Sequence, residues 1–562
     1  MQTPSASAIQ LSKNIGQQLS VIAADRPHQI AVAAPNKRVN QGRRCYDELT
    51  FQQLNEDSDR IAAALQSLGL QPAQRIVLMV RPGLDFISLT FALFKAAATV
   101  VLIDPGMGRN HLIQCLSDAE PDGFVGISIA QAARILYRRN FPNARLNVTV
   151  GRRWCWGGPT LKQLRLHSAE EFQPPAVNAD DPAAIIFTTG STGPPKGVLY
   201  RHGNFSQQVQ QLRDMYEIQP GEIDLPGFPL FALFNSVMGV TTVIPDMDPT
   251  RPAEVNPANI IEPIQDWKIT QAFGSPALWN AVGKHCEAND IKLPTLRRVL
   301  SAGAPVPNHV LQKLKGAIAV DGDIHTPYGA TEALPVATIS GTEVLESTAE
   351  QTAVGAGTCV GRRFSKIKWK VIRIHDDPIQ AIDEVEELPQ GEIGELIVQG
   401  PVVTTEYVTR TESNLLAKIN DETIWHRMGD VGYLDELDRF WFCGRKAHRL
   451  VTERGTMFTI RCEAIFNQHP AIYRSALVGL GQAPRQHPVL IAEPWPDQLS
   501  NDESAQQQLR QELHELGQKN ELTSNIRLDH ILLRAALPVD IRHNAKIFRE
   551  QLSVWAAKEL DA

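Results

Sequence analysis

The chain has 562 residues, 43% hydrophobic and 21% charged, which is ordinary for a folded soluble protein but too long for a single hydrophobic core, so two or more domains are expected. Its 55 lysines and arginines against 62 aspartates and glutamates leave a formal net charge of −7, which argues against nucleic acid as a partner. The 7 cysteines form no Cys-x-x-Cys pair and fit free thiols in a reducing, cytoplasmic setting rather than disulfides or zinc.

In chain order, the first twenty residues lack the charged-then-apolar pattern of a secretion signal. RIVLMV (75–80) reads as a buried strand, 85–98 as a helix and TVVLI (99–103) as a strand. The most apolar run, Phe86 to Ile103, holds Lys95 and ends at Asp104-Pro105, so no transmembrane segment is expected there. AAIIF (183–187) is a further buried strand; 270–273 precedes a helix starting near Pro276, and 297–301 leads into a turn of small residues. This alternation predicts an α/β fold whose large N-terminal domain has parallel-rich sheets with packed helices. Beyond about residue 390 the strands are shorter and the turns tighter. A polar-faced helix is expected over 502–520, and a last helix from about Lys546 with Phe548, Leu552, Trp555 and Ala556 on one face. A boundary at 444–450 divides residues 1–444 from a small, mobile α+β C-terminal lid of residues 445–562.

The most informative stretch is FTTGSTGPPKGVLYRHGNFS, 187–206. Thr188, Thr189, Gly190, Ser191, Thr192, Gly193 and Lys196 put glycine backbone, hydroxyl donors and one compact cation directly after a buried strand, where α/β proteins hold phosphate. The spacing is neither the Walker pattern nor a dinucleotide fingerprint, and a plain polar loop stays open. In TPYGATEALP (326–335), Tyr328-Gly329 is expected to turn after a strand ending at His325, with Thr331 and Glu332 at a loop or helix start. A hydroxyl beside a carboxylate suits a phosphate and its Mg²⁺; a capped turn is the competing explanation. In MGDVGYLD and FCGRKAHR, Asp430 before a strand can accept two ribose hydroxyls and Arg445 can reach a sugar or phosphate, unless the two form only a surface ion pair on a hairpin. Lys546 is a surface charge unless its helix is carried over a nucleotide site. FPLFALFNSVMG (228–239) is either core or the wall of an alkyl pocket, through Phe228, Phe231, Phe234 and Met238. Neither G-x-S-x-G nor H-E-x-x-H occurs, and His202, His325 and His448 read as turn or packing residues.

Taken in order, TTGSTGPPKG, YGATE, GELIVQGP, GDVGYLD, the Gly444-Arg445 pair and Lys546 resemble the motifs of the adenylate-forming superfamily of acyl-CoA synthetases, luciferases and adenylation domains, from about residue 15 to 560. The resemblance implies a large ATP-binding domain, a lid, and ATP with Mg²⁺ as cofactors. It implies that Thr188 to Lys196 cradle the β- and γ-phosphates, Thr331 meets the α-phosphate and Glu332 the Mg²⁺. Asp430 and Arg445 would hold the ribose. Ser301 to Pro305, with Gly303, Ala304 and Pro305, would flank the adenine together with Tyr328 and Gly329. Lys546 would bridge the substrate carboxylate and the α-phosphate.

Two departures bear on coenzyme A. Lys446-Ala447-His448 stand where members carry an acidic pair near the hinge, and PLFA (229–232) replaces the PLFH of many acyl-CoA synthetases. FTTGSTGPPKGVLYRHGNF and FCGRKAHRL are most similar to the branch that forms β-lactones in bacterial olefin biosynthesis. That branch implies a 2-alkyl-3-hydroxy fatty acid as small-molecule substrate and association with other olefin-pathway enzymes. A medium- or long-chain acyl-CoA synthetase, an acyl-AMP ligase that loads a carrier protein, and a non-catalytic nucleotide-binding module remain alternatives. His325 and His448 are the guesses for a base acting on the 3-hydroxyl.

Overall fold

The computed structural model describes residues 12–40, 43–188, 194–500, 502–540 and 546–561. The apolar runs form two large sheets. A six-stranded sheet runs, edge to edge, through Leu146–Val150, Gly123–Ile127, Arg75–Met79, Thr99–Leu102, Pro182–Phe187 and Gly197–Arg201. All neighbours are parallel except the last pair. Strands covered on both faces need no alternation, which is why IVLM and VVL read as unbroken apolar runs. The helix Leu84–Lys95 is buried from Phe86 onward, and Lys95 at its end reaches Asp59 Oδ1 and Asn55 Oδ1, each at 2.7 Å. The charge that argued against a membrane span is thus paired inside the core. Among the described residues no helix is long and apolar enough to cross a membrane.

The second sheet has fourteen strands. Its parallel half includes Thr241–Val243, Ile223–Pro226, Gln271–Gly274, Arg298–Ser301 and Asp323–Ala330. The antiparallel half continues through Ala333–Ser340, Thr358–Arg363, Arg439–Arg445, Trp425–Leu434, Gly394–Gln399 and Lys368–Ile372. The strand Asp323–Ala330 is the seam, parallel to one neighbour and antiparallel to the other. Ligands of α/β sheets gather at the carboxyl ends of parallel strands. At this seam such an end lies beside a hairpin.

After Arg445 the chain builds a three-stranded sheet of Ile472–Leu480, His487–Pro494 and Ile531–Leu533. Period-two alternation divides its side chains. Leu477, Leu490 and Ala492 pack with Leu509 and Leu513 of the helix Glu503–Gln518, whereas Ala476, Val478, Val489 and Ile491 pack with Leu552 and Ala556 of the last helix. That last helix spans Arg549–Asp561 rather than starting at Lys546. Lys546 lies in the extended approach to it, where Ile547 bridges Val539.

His202, at the start of the helix His202–Tyr216, is fully buried; its Nδ1 accepts from the Ile15 N–H at 3.3 Å, and burial pushes its pKa from 6.5 down to about 4. The unfolded chain binds this proton below pH 6.5 and the folded chain does not, so the group subtracts stability as pH falls from 6.5 toward 4. His202→Gln is expected to remove this loss, up to about 3 kcal/mol. The check is the difference in unfolding free energy between variant and parent, measured across that pH window.

Candidate active site

The strands Asp323–Ala330 and Ala333–Ser340 form a tight hairpin, with Ala330 opposite Ala333, so Thr331 and Glu332 are its two turn residues. This corrects the expected turn at Tyr328-Gly329; of the loop or helix start expected for Thr331 and Glu332, the structure has the loop. Tyr328 sits within the strand opposite Ala337, and Gly329 serves close approach: a Cβ there would lie 2.6 Å from the Ala333 carbonyl oxygen.

The Tyr328 hydroxyl donates to Asp430 Oδ2, and Arg445 donates to Asp430 Oδ1 at 2.7 Å and to the Met428 carbonyl at 3.1 Å. Asp430 lies inside the strand Trp425–Leu434, not ahead of one, and faces Arg445 across the ladder. The Asp430 side chain is 6% exposed and that of Arg445 35%, so this is no surface ion pair. Burial and the neighbouring carboxylate raise the Tyr328 hydroxyl far above its ordinary pKa, which keeps it a donor. Asp430 raises the Arg445 pKa. The carboxylate is thus oriented by one partner on each oxygen.

The turn itself is clamped from several sides. The Tyr200 hydroxyl donates to the Thr331 carbonyl at 2.6 Å. The Thr404 N–H and hydroxyl donate to the Glu332 carbonyl at 2.9 and 3.0 Å, and the Tyr407 hydroxyl donates to Glu332 Oε1 at 2.5 Å. The Lys196 Nζ lies 4.8 Å from the centre of the Tyr407 ring and the Lys418 Nζ 5.6 Å. Lys418 is buried, donates to the Thr404 carbonyl at 2.5 Å, and makes no ion pair among the described residues. Burial pushes its pKa down to about 8, against the pull of Glu332 and Glu406.

The residues around Tyr407 also brace the phosphate-loop candidate. The Val408 N–H donates to the Gly197 carbonyl at 2.9 Å, and the Gly197 N–H donates to the Thr409 hydroxyl at 2.7 Å. Thr188 and Lys196 close the neck of that loop by exchanging hydrogen bonds of 3.0 and 3.1 Å. Thr189, Gly190, Ser191, Thr192 and Gly193 lie outside the described residues.

Gly303, Ala304 and Pro305 follow the carboxyl end of the strand Arg298–Ser301, with Gly303 at φ 97°. The Phe-rich segment forms the helix Pro229–Met238 preceded by Phe228. Phe228, Phe231 and Phe234 are partly exposed, Phe231 stacks on Phe273 at 3.6 Å, and Met238 is buried in the core. His325 packs on the Tyr216 ring at 5.0 Å, and His448 meets Glu550 at 3.0 Å. Tyr200, Thr404, Tyr407 and Lys418 carried no sequence expectation. The hints were that Tyr200 lies within the stretch 187–206 and that Thr404 and Tyr407 come shortly after GELIVQGP.

A buried carboxylate held between an arginine and a phenol suits the paired hydroxyls of a sugar, and the lysine and hydroxyls near Glu332 suit phosphate. Among the described residues no group of three or more His, Cys, Asp or Glu is placed to hold a metal. A single carboxylate such as Glu332 could serve a hard cation that takes its other oxygens from a phosphate ligand and from water.

The family profile described as AMP-binding enzyme matches residues 22–408. The chain belongs to the AMP-binding enzyme family. It is 45% identical to the olefin beta-lactone synthetase of Xanthomonas campestris pv. campestris, over 97% of this chain and 98% of that one. It is likewise 45% identical to the olefin beta-lactone synthetase of Stenotrophomonas maltophilia, over 98% and 99%. The fold is similar to that of an anthranilate CoA ligase in complex with anthranoyl-AMP, with a TM-score of 0.79 at 18% identity, covering 99% of both chains. It is also similar to o-succinylbenzoate coenzyme A synthetase from Bacillus subtilis in complex with ATP and magnesium ion, with a TM-score of 0.74 at 18% identity, covering 95% and 99%. For this AMP-binding enzyme, Asp430, Arg445 and Lys546 lie beyond the residues that the profile matches.

In this AMP-binding enzyme Lys418 holds the segment that positions Glu332. Lys418→Met keeps the length of the side chain and removes the buried charge. The expected result is a rise of about tenfold in the KM for ATP, from a weakened charge-assisted contact, with a melting temperature unchanged or higher. An unchanged KM would show that the lysine serves packing alone.

Proposed function

We propose that this chain is an ATP- and Mg²⁺-dependent β-lactone synthetase acting on a 2-alkyl-3-hydroxy fatty acid. The observation that carries the reading is the near full-length 45% identity to two olefin beta-lactone synthetases, and the site geometry agrees with it. Residues 1–444 hold the nucleotide and the acyl group, and residues 445–562 form the lid. Asp430 and Arg445 bind the ribose, Tyr328 and the Gly303-Ala304-Pro305 turn flank the adenine, and Lys196 with the loop before it binds the outer phosphates. Glu332 supplies a carboxylate oxygen to Mg²⁺, which neutralises phosphate charge when bound. Phe228, Phe231 and Phe234 line the alkyl site, with Met238 behind them.

The substrate carboxylate attacks the α-phosphorus and pyrophosphate leaves. Thr331 and Lys546 sit against the charge that develops there. The 3-hydroxyl then attacks the acyl carbon, its proton passes to solvent, AMP departs and the four-membered ring closes. Tethering the nucleophile replaces a second substrate and supplies on the order of 7 kcal/mol.

The hinge supports this single-substrate course. Lys446, next to Arg445, donates to Glu395 Oε2 at 3.1 Å and to the His375 carbonyl at 2.8 Å. Glu395 is buried and also holds Arg427 at 2.6 Å, and Arg449 pairs with Asp376 at 2.5 Å. The segment that would rotate to admit coenzyme A is tied by charge to the large sheet.

The deciding experiment supplies ATP, Mg²⁺ and a synthetic 2-alkyl-3-hydroxy acid with and without coenzyme A, and weighs the product. The expected product has lost one water, carries no thioester and forms equally in both mixtures. A strict need for coenzyme A overturns lactone closure, and transfer to a phosphopantetheine carrier makes the enzyme an acyl-AMP ligase.

A further inference from the structure

Between Gly123 and Ala169 the chain holds eight lysines and arginines and not one aspartate or glutamate, in a protein whose net charge is −7. Arg165 is spoken for by Asp57 and Asp85, both at 2.8 Å. Arg134, Arg138, Arg139, Arg145, Arg152, Arg153 and Lys162 make no ion pair among the described residues. A run of unpaired cations with no carboxylate among them is a field directed outward.

The fold gathers this run at one edge of the six-stranded sheet. The strand Leu146–Val150 is the edge strand, and the helix Ser128–Leu136 follows its neighbour Gly123–Ile127. The helix is fixed on its inner side by Gln131, whose amide donates to the carbonyls of Phe124 at 3.1 Å and Val148 at 2.8 Å. Its outer side carries Ile129 and Leu136, one heptad apart, 69% and 76% exposed. The Ser128 hydroxyl donates to the Arg152 carbonyl, which ties the start of this helix to the turn bearing Arg152, Arg153 and Trp154. Trp154 is 55% exposed and packs 5.2 Å from Trp156, whose ring N–H is held by the Thr149 hydroxyl at 2.9 Å. Leu166, just past the helix Leu161–Leu164 that packs on the edge strand, is 80% exposed.

We propose that this edge is a docking surface for an anionic phospholipid bilayer. An acidic protein would satisfy the arginines; Ile129 and Leu136 on the helix that bears Arg134, and Trp154 beside Arg152 and Arg153, all exposed, favour a partner with an apolar layer directly beneath its anions. Headgroup phosphates match the arginines, and the acyl boundary just beneath accepts tryptophan, isoleucine and leucine, the mixture that an interfacial helix uses. No described helix is able to span a bilayer, so the contact is with the surface. The biological sense of the surface rests on the proposed function, because a substrate with two alkyl arms resides in lipid. The surface itself does not depend on that reading.

The test sediments the full-length protein with vesicles of phosphatidylcholine alone and of phosphatidylcholine with phosphatidylglycerol. The protein is expected to pellet with the anionic vesicles only and to be released as salt rises. Arg152→Glu with Arg153→Glu is expected to lower partitioning at least tenfold, on the order of fivefold per lost cation. Leu136→Ser with Trp154→Ser is expected to lower it severalfold while leaving the salt dependence intact. Turnover of a short, water-soluble 3-hydroxy acid stays at the parental rate in both variants. Protein that stays in the supernatant, or variants that pellet like the parent, would overturn the proposal. So would capture by an acidic polypeptide without capture by vesicles. If the enzyme proves to need coenzyme A, the vesicle result stands unchanged, so the two readings fail separately.

Discussion

Lys546→Ala is expected to lower ATP-dependent pyrophosphate release by about two to three orders of magnitude, the loss typical of one preorganised donor at developing charge. The fold around it survives. The Lys546 N–H donates to Asp540 Oδ1 at 2.9 Å and the Asp540 N–H donates to the Lys546 carbonyl at 3.0 Å, contacts of the main chain that alanine keeps. The helix that follows is anchored by buried Leu552 and Ala556, and by Arg549, which donates to both oxygens of buried Glu463 at 2.7 Å. The melting temperature therefore stays at the parental value while adenylation fails. On the proposed role, in which the lysine acts only where the carboxylate and the α-phosphate react, nucleotide affinity is expected to change little and kcat to carry the loss. Supplying a preformed acyl-adenylate separates the two halves of the reaction: lactone formation from it should run near the parental rate. Pyrophosphate release at the parental rate would mean that another cation does this work.

Much of the fold was legible because the relevant forces are local. Runs such as RIVLMV, TVVLI and AAIIF are continuous apolar stretches that only a doubly covered parallel strand can bury, and they are found at Arg75–Met79, Thr99–Leu102 and Pro182–Phe187. The start of the last helix was misplaced by three residues, because the Ile547–Val539 bridge holds Lys546 extended and no local signal announces a partner eight residues earlier. The turn expected at Tyr328-Gly329 was misplaced for a related reason. Gly329 suggested a turn, but its missing Cβ makes room for the Ala333 carbonyl within the hairpin. Asp430 and Arg445 were visible as residue types. An ion pair between them on a hairpin was one of the two readings open; its burial was not legible, since it depends on what packs around the two paired strands. Tyr407 and Lys418 were invisible for the strongest reason: they matter only through Glu332 and Thr404, and Tyr407 lies 75 residues from the carboxylate it holds.

Glu332→Gln is expected to raise the Mg²⁺ concentration for half-maximal activity by about tenfold or more and to lower kcat, because a neutral amide is a poor ligand for a hard cation. Tyr407 decides how this carboxylate is presented. Its hydroxyl donates to Oε1 at 2.5 Å, and burial together with the nearby Glu332 charge raises its pKa, so at working pH it stays protonated and remains a donor. In the proposed role, a carboxylate with one oxygen so occupied would offer the other to a cation in one orientation. Tyr407→Phe removes that restraint without touching the charge, and is expected to cost no more in Mg²⁺ affinity than Glu332→Gln, about tenfold, matching a charged hydrogen bond of roughly 1.5 kcal/mol. The two substitutions act on one group, so the double variant should be no worse than Glu332→Gln alone. Titration of activity with Mg²⁺, alongside binding of a non-hydrolysable ATP analogue, checks each step. An unaltered metal requirement in Glu332→Gln removes Glu332 from the metal's coordination. Additive losses in the double variant would mean that Tyr407 works through the lysines over its ring rather than through the carboxylate.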